Sequence, residues 1–201
     1  MRTMKTKDGR TYFTALKKGS IEVDVKAVTE YENEKVKAFV HDIHDGYDSR
    51  FDEADVIYCE PAWRPGYVKF MEMAGKDPQK YGYNKYLKAI HDFAKQFGKP
   101  FYCIGSVAMM KILQPDDSQP IVITPHGSND AIGVFNGTLF DCPNTDSFIT
   151  ELCKKYTVIG DIFCGAGYTF SHALPHNRFI LSDVNPECIG FIAKEAEHGN
   201  C

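Results

Sequence analysis

A glycine-rich turn between two apolar runs constrains the fold of this chain more than any other feature. The first run, 158–163, leads into a turn that contains Gly165 and Gly167, and the second run, 179–181, ends just before Asp183. Glycine permits a sharp turn and the close approach of a ligand, and a helix beginning there favours ligand oxygens at its N-terminus. Ligands of open α/β sheets bind beyond the carboxyl ends of the strands. The segment therefore predicts a cofactor-binding strand–turn–helix–strand unit in which Asp183 accepts the hydroxyls of a ribose.

The turn does not carry the third glycine of the G-x-G-x-x-G pattern, because residue 170 is Phe. That third glycine belongs to the fingerprint with which a dinucleotide pyrophosphate is bound close to the backbone. The segment therefore argues against a nicotinamide or flavin cofactor.

Strand and helix patterns alternate along most of the chain. Residues 84–97 carry apolar side chains at 87, 90, 93, 94 and 97, which is the spacing of an amphipathic helix. Alternating strands and helices imply a largely parallel sheet that is covered on both faces. Further strands are predicted at 36–40, 56–59, 101–104, 121–124 and 131–135, and further helices at 107–113, 146–155, 168–173 and 185–197. Ser106 is placed to cap the helix predicted at 107–113.

The first 35 residues have a less regular pattern. Residues 11–16 and 21–27 flank a short polar segment, and Ile21, Val23 and Val25 alternate with polar residues. This pattern predicts an N-terminal extension, residues 1–35, that contains a hairpin. Residues 36–201 then form the main domain, and no change in composition marks a second one.

Composition limits the classes of protein to which the chain can belong. The net charge of −4 excludes a strongly cationic nucleic-acid binder, so any contact with nucleic acid must come from a local patch. The sequence has no run of 18 apolar residues and no signal-peptide core, which predicts that no segment spans a membrane. The seven cysteines form no C-x-x-C pair, which indicates reduced thiols in a cytoplasmic protein and no zinc site.

At the glycine-rich turn the chain resembles the amino-methyltransferases that act on exocyclic nitrogens of DNA bases. Their cofactor motif, D-x-F-x-G-x-G, is matched by Asp161, Phe163, Gly165 and Gly167. Their next motif, acid-x-N-P-E, is similar to residues 183–187, which read Asp-Val-Asn-Pro-Glu. The resemblance implies that the cofactor is S-adenosylmethionine.

The resemblance also assigns the residues that contact the cofactor. The predicted strand 36–40 is followed by Asp42, which corresponds to the acid that contacts the cofactor adenine, with Asp45 as the second choice. Asn185 and Pro186 suit the cap and the first turn of the helix that follows Asp183. The implied cofactor contacts are Asp161, Phe163, Cys164, Gly165, Gly167, Asp183, Asn185 and Asp42.

The catalytic motif of the family, [D/N/S]-P-P-[Y/F/W], is similar to Glu60-Pro61-Ala62-Trp63 at the end of the strand 56–59. By this resemblance Glu60 and the carbonyl of Pro61 accept the two N–H bonds of the target amine, and Trp63 stacks on a base that has been flipped out of the helix. The chain departs from the family in having Glu at the first position and Ala at the third. A strand-end turn with a buried Trp is the alternative interpretation.

The order of the motifs is similar to that of the circularly permuted, beta-class-like members of the family, because Asp161 follows Glu60 by 101 residues. The implied fold is a doubly wound, mostly parallel, seven-stranded Rossmann-like α/β sheet that is circularly permuted. The family places a target-recognition domain after the strand at 121–124, but residues 125–145 leave no room for one. The resemblance therefore implies a small member of the family, of phage or bacterial type.

Basic and aromatic residues alternate in 64–88, directly after the catalytic motif. This combination suits a nucleic-acid backbone and unstacked bases, although a solvated loop and helix face explains it equally well. Arg64, Tyr67 and Lys69 are the candidate substrate contacts. The implied partner is DNA, with adenine N6 as the favoured target and cytosine N4 as the related option.

Several alternatives remain open at this point. The negative charge and the missing recognition domain also fit methylation of RNA, of a protein or of a small molecule. Glu60 and Ala62 would suit a catalytically weak module that binds the cofactor or a partner. The chain could form a homodimer, or a partner protein could supply specificity. Residues 41–45, His-Asp-Ile-His-Asp, fit a strand end and a polar loop better than a metal site, so no metal is predicted.

Overall fold

The computed structural model describes residues 2–5, 11–14, 20–22, 25–62, 64–73, 75–120 and 130–198. Eleven strands lie within them: β1 Arg2–Lys5, β2 Thr11–Thr14, β3 Ser20–Glu22, β4 Glu30–Glu32, β5 Val36–Val40, β6 Val56–Cys59, β7 Phe101–Ser106, β8 Asp117–Pro120, β9 Asp130–Phe135, β10 Val158–Asp161 and β11 Arg178–Asp183. The α-helices are α1 Arg64–Met73, α2 Pro78–Tyr81, α3 Tyr83–Phe97, α4 Val107–Leu113, α5 Thr145–Lys155 and α6 Pro186–Glu197.

Eight strands form one large sheet in the order β4-β5-β11-β10-β6-β7-β9-β8. The five strands from β5 to β7 in this order are parallel to one another. β4, β8 and β9 pair antiparallel to their neighbours. The predicted largely parallel α/β sheet is therefore confirmed, but it has eight strands instead of the expected seven, with antiparallel strands at both edges. The strand predicted at 121–124 lies outside the described residues.

The two faces of the sheet carry separate apolar cores because side chains alternate along each strand. On β6, Ile57 and Cys59 pack with residues of α3 and α4, whereas Val56 and Tyr58 pack on the opposite face with residues of α5 and α6. Helices on both faces are the arrangement that buried parallel strands require. The carboxyl ends of the parallel strands are thereby left as the edge at which a ligand can bind.

The helix boundaries follow from local sequence. α3 buries its apolar stripe and ends at Gly98, whose φ of +67° allows its N–H to reach the carbonyl of Ala94. Ser106 caps α4, as predicted, by accepting the N–H of Met109. Asn185 caps α6 by accepting the N–H of Glu187, also as predicted.

The N-terminal strands form a separate three-stranded sheet in the order β2-β1-β3. β1 pairs antiparallel with β2 and parallel with β3. The hairpin predicted between 11–16 and 21–27 is thus not the pairing found, because β2 and β3 each pair with β1 instead of with each other. β4 precedes residue 36 in the chain but belongs to the large sheet. None of the described helices is both long and apolar enough to span a bilayer.

Candidate cofactor and substrate site

A cavity of about 450 Å³ opens at the carboxyl ends of β5, β6, β10 and β11. This volume lies in the range of pockets that bind small molecules and cofactors. The cavity brings together residues from motifs that are far apart in the sequence. The predicted site residues in its wall are Asp42, Glu60, Pro61, Tyr67, Lys69, Asp161, Phe163, Cys164, Gly165, Asp183 and Asn185.

The glycine-rich turn after β10 forms one wall of this cavity. Gly165 and Gly167 have φ values of +49° and +80°, a region that favours glycine. No atom lies within 4 Å of the position that a Cβ of Gly165 would occupy, so this side of the turn is open. Gly167 shapes the backbone of the turn but does not line the cavity. A single 3-10 turn, Phe170–His172, stands where a helix was predicted at 168–173.

Asp161 lies at the end of β10 and is 2% exposed. Its carboxylate accepts hydrogen bonds from the hydroxyl of Thr169 and, at 3.0 Å, from the backbone N–H of Phe163. Burial raises the pKa of Asp161 to about 7 despite these hydrogen bonds, and the nearby negative charges of Glu60 and Asp183 contribute to the increase.

Asp183 lies at the end of β11, beside the glycine-rich turn. Its two oxygens accept the backbone N–H groups of Gly165 at 3.0 Å and Asn185 at 2.9 Å. Burial raises the pKa of Asp183, although these hydrogen bonds oppose the increase. Each carboxylate oxygen can accept more than one hydrogen bond, so the predicted contact with ribose hydroxyls is compatible with both.

Asp42 follows β5 and is 5% exposed. Its Oδ1 accepts the backbone N–H of His44 and lies 2.8 Å from the Nδ1 of that residue, while its Oδ2 lies 3.3 Å from the ammonium of Lys76. Burial would raise the pKa of Asp42, but the contacts with His44 and Lys76 together hold it well below its usual range. Asp45, the second choice, is exposed and does not line the cavity. The described residues contain no cluster suited to hold a metal ion.

Glu60 follows β6 and is half-buried at the cavity wall. The hydroxyl of Tyr58 donates a hydrogen bond to Glu60 Oε2 at 2.9 Å. Burial raises the pKa of Glu60, the hydrogen bond from Tyr58 lowers it, and the charge of Asp130 raises it further. The backbone N–H of Ala62 donates to the hydroxyl of Tyr86 at 3.1 Å, which holds the end of the motif against α3.

The remaining substrate candidates are only partly described. Trp63 lies outside the described residues, and Arg64 begins α1 but its side chain is not described. Tyr67 is buried on α1, and its ring lies 4.8 Å from that of Tyr86. Lys69 lies on the same helix and reaches the cavity wall from an exposed position.

Sequence reasoning missed several side chains of the cavity, among them Tyr58, Tyr86, Tyr168 and Thr169. Tyr58 could have been found, because residues two apart on a strand lie on the same face and Glu60 is two residues away. Thr169 also lies close to the cofactor motif. The contact of Tyr86 with Ala62 joins residues 24 positions apart, and no local pattern signals it.

The cavity has a strongly acidic wall. Glu60 and Asp183 both interact electrostatically with Asp161, and they follow or end the two strands, β6 and β11, that flank its strand β10. None of the three forms an ion pair with a lysine or arginine whose side chain is described. Buried carboxylates without a partner cation are costly, and a ligand that carries positive charge would stabilise them. The wall therefore favours a cationic ligand over a phosphate.

The chain matches no protein-family model and no curated protein. It does match solved structures. TTHA0409 of Thermus thermophilus, provisionally named a DNA modification methylase, aligns with a TM-score of 0.50 and 10% identity over 83% of this chain and 95% of its own. M1.HpyAVI aligns with a TM-score of 0.48 and 10% identity over 81% of this chain and 98% of its own. At this level of identity, the match with TTHA0409 establishes a shared fold, the Rossmann-like mixed α/β sheet.

Proposed function

We propose that this chain is an S-adenosylmethionine-dependent methyltransferase that methylates an exocyclic amino nitrogen of a DNA base, with adenine N6 as the favoured target. One observation carries the proposal: a single cavity is lined by the glycine-rich turn with its two acids and by the Glu60-Pro61-Ala62 segment. Methyl transfer between two bound molecules requires that both sites open into one another. If the segment at Glu60 were only a structural turn, it would have no need to open into the cofactor side of the cavity.

The acidic wall supports this choice of cofactor. When bound, S-adenosylmethionine supplies a methyl group on a positively charged sulfur, and it also carries an ammonium group. Asp161 provides a buried carboxyl group beside both Glu60 and Asp183, and a cationic ligand would stabilise its ionised form. The open side of Gly165 lets such a ligand approach the backbone closely.

Two further acids of the cavity wall supply the remaining cofactor contacts. Asp183 receives the ribose hydroxyls at the end of β11, where two backbone N–H groups fix its carboxylate. Asp42 follows β5, the strand next to β11, where it is held by His44 and Lys76, and it receives the adenine edge. Asn185 caps α6 beside Asp183 and holds that end of the site in place.

Glu60 and Pro61 orient the substrate. An exocyclic amine on an aromatic ring has a delocalised lone pair, and two acceptors for its N–H bonds direct that lone pair towards the methyl group. The Glu60 carboxylate supplies one acceptor and the carbonyl of Pro61 supplies the other. A base in a duplex must be flipped out to reach them. Tyr67 and Lys69 border the same cavity and would contact the flipped nucleotide, with Arg64 and Trp63 on the adjoining segment.

The chain order of the strands supports the circularly permuted arrangement. The parallel strands follow the chain as β5, β6, β7, β10 and β11. In the sheet, however, β10 and β11 lie between β5 and β6. The strand that carries the cofactor turn is therefore central in the sheet but late in the chain. The division into an extension, 1–35, and a catalytic domain, 36–201, remains part of the proposal.

The test is transfer of a labelled methyl group from S-adenosylmethionine to a panel of acceptors: unmethylated DNA, RNA and protein. We expect label in DNA, and nucleoside digestion then separates N6-methyladenine from N4-methylcytosine. Label in RNA or protein, with none in DNA, would move the assignment to another acceptor, which the net charge of −4 also accommodates. Binding of the cofactor without transfer to any acceptor would favour a binding module or the need for a partner protein.

A further inference from the structure

We propose that Tyr58 is the positioning residue that sets the Glu60 carboxylate towards the substrate amine. This inference rests on the proposed function, because it assigns the substrate contact to Glu60. Tyr58 does not need to touch the substrate itself. Its effect passes through the hydrogen bond from its hydroxyl to Glu60 Oε2, which measures 2.9 Å.

The geometry fixes Tyr58 firmly. Its side chain is 1% exposed and packs in the core between the sheet and the helices α5 and α6. Tyr58 also pairs in register with Asp161 on β10 and with Tyr102 on β7, so both neighbouring strands hold its backbone. A donor built into the centre of a sheet is more rigid than the side chain it contacts, which follows the last residue of β6.

The hydroxyl of Tyr58 remains a donor. Burial raises the pKa of Tyr58 well above its usual value, and the negative charges of Glu60 and Asp161 raise it further. A neutral phenol beside a carboxylate donates its one O–H bond to that carboxylate. The described residues provide no other hydrogen bond to Glu60, so Oε1 is the oxygen that we assign to the substrate.

The hydrogen bond from Tyr58 bears on the glutamate at position 60, where the family motif that this segment resembles has Asp, Asn or Ser. Glutamate has one more methylene than aspartate, so its carboxylate reaches further and has more conformations to lose on ordering. A misplacement of about 1 Å at a reacting group can cost about a hundredfold in rate. Binding one carboxylate oxygen to a rigid tyrosine removes that freedom and leaves the other oxygen in a defined place.

The experiment compares Tyr58→Phe with Tyr102→Phe. Tyr102 is the matched control, because it is equally buried, lies beside Tyr58 in the sheet, and donates its hydroxyl to the carbonyl of Thr138 instead of to Glu60. We expect kcat for methyl transfer to fall about 10- to 100-fold in Tyr58→Phe, with the cofactor Kd changed by less than about twofold. In Tyr102→Phe we expect kcat to stay near that of the wild type.

A pH profile separates positioning from a general loss of structure. The hydrogen bond from Tyr58 lowers the pKa of Glu60, so its removal moves the acid limb of the kcat profile to higher pH. Titration of the Glu60 carboxyl by carbon-13 NMR, assigned with Glu60→Gln, is expected to move in the same direction. Tyr102→Phe is expected to leave both unchanged.

The outcomes are distinguishable. Transfer by the wild type together with an unchanged rate, acid limb and Glu60 titration in Tyr58→Phe overturns the inference and leaves the proposed function intact. Equal losses in Tyr58→Phe and Tyr102→Phe, with no movement of the Glu60 titration, also overturn it, because the effect is then one of packing. An absence of transfer by the wild type to any acceptor overturns the proposed function and with it this role for Tyr58.

Discussion

The carboxylate of Asp183 accepts the backbone N–H of Gly165 at 3.0 Å. This bond joins the end of β11 to the turn that follows β10, across 18 residues of chain. The acid and the glycine turn are therefore one unit, and the second oxygen of the same carboxylate holds Asn185 at the start of α6. The strand–turn–strand pattern of the sequence thus corresponds to a continuous wall of the cavity.

Removal of this carboxylate is expected to weaken cofactor binding. For Asp183→Ala we expect the free energy of cofactor binding to become less favourable by about 1.5–3 kcal/mol, because hydrogen bonds to a charged group contribute that much. Isothermal titration calorimetry with S-adenosylmethionine measures it. Asp92→Ala is the control, since Asp92 is exposed and pairs with Lys88 on α3. Unchanged affinity in Asp183→Ala would contradict the assignment of the ribose contact.

The open side of Gly165 gives a second prediction. Gly165→Ala and Gly98→Ala both place a side chain at positive φ, where an L-residue costs roughly 1–2 kcal/mol. We expect both variants to lose comparable stability in urea unfolding. Only Gly165→Ala should also lose cofactor affinity, because its Cβ enters the space in which the ligand approaches the turn. A similar affinity loss in Gly98→Ala would indicate an effect of stability alone.

The raised pKa of Asp161 predicts how stability depends on pH. In the folded protein Asp161 has a pKa of about 7 against an ordinary value of 3.8, so the folded state binds the proton more tightly. Its contribution to stability is complete below about pH 4 and is lost as pH rises towards about 7. We expect the free energy of unfolding of Asp161→Asn to depend less on pH across this range. Urea unfolding at a series of pH values tests it, and an equal pH dependence in both proteins would contradict it.

Trp63 gives a prediction that rests on the sequence. Stacking of a base on an aromatic ring contributes roughly 1–3 kcal/mol, so Trp63→Ala should lower transfer to DNA by about 5- to 150-fold. Cofactor affinity should stay within about twofold of the wild type. Parallel measurement of kcat/KM for DNA and of the cofactor Kd separates the two effects. Equal losses in both would point to a folding defect instead.

The sequence predicted those parts of the fold that depend on local chemistry. Three predicted features depend on only a few neighbouring residues each, and the structure confirms them: the apolar stripe of α3, the Ser106 cap of α4 and the Asn185 cap of α6. The strands β4 and β8 were not predicted, because both are short, mostly polar edge strands without an apolar pattern. Pairing in the N-terminal sheet was also wrong in detail, since register between strands depends on distant partners.

In the candidate site, too, some residues have a local signal in the sequence and others depend on distant parts of the chain. Asp161, Gly165 and Asp183 could be predicted to lie together because glycine and acid spacing around one turn is a local signal. The contact of Tyr86 with Ala62 depends on which helix becomes the neighbour of that segment, so it emerged only from the structure. The contact of Tyr58 with Glu60 joins residues two apart at the end of one strand and was within reach of the sequence. The helix predicted at 168–173 is reduced to one 3-10 turn, in which Phe170 is buried against Phe179.

The most direct test of the central claim is single-turnover transfer of a labelled methyl group from S-adenosylmethionine to unmethylated DNA by the wild type and by Glu60→Gln. Glu151→Gln is the matched control, because Glu151 is a partly exposed acid on α5 that pairs with Lys154. We expect label in DNA with the wild type and with Glu151→Gln, and a rate at least about tenfold lower with Glu60→Gln. Transfer by Glu60→Gln at the rate of the wild type would contradict the assignment of the substrate contact to Glu60.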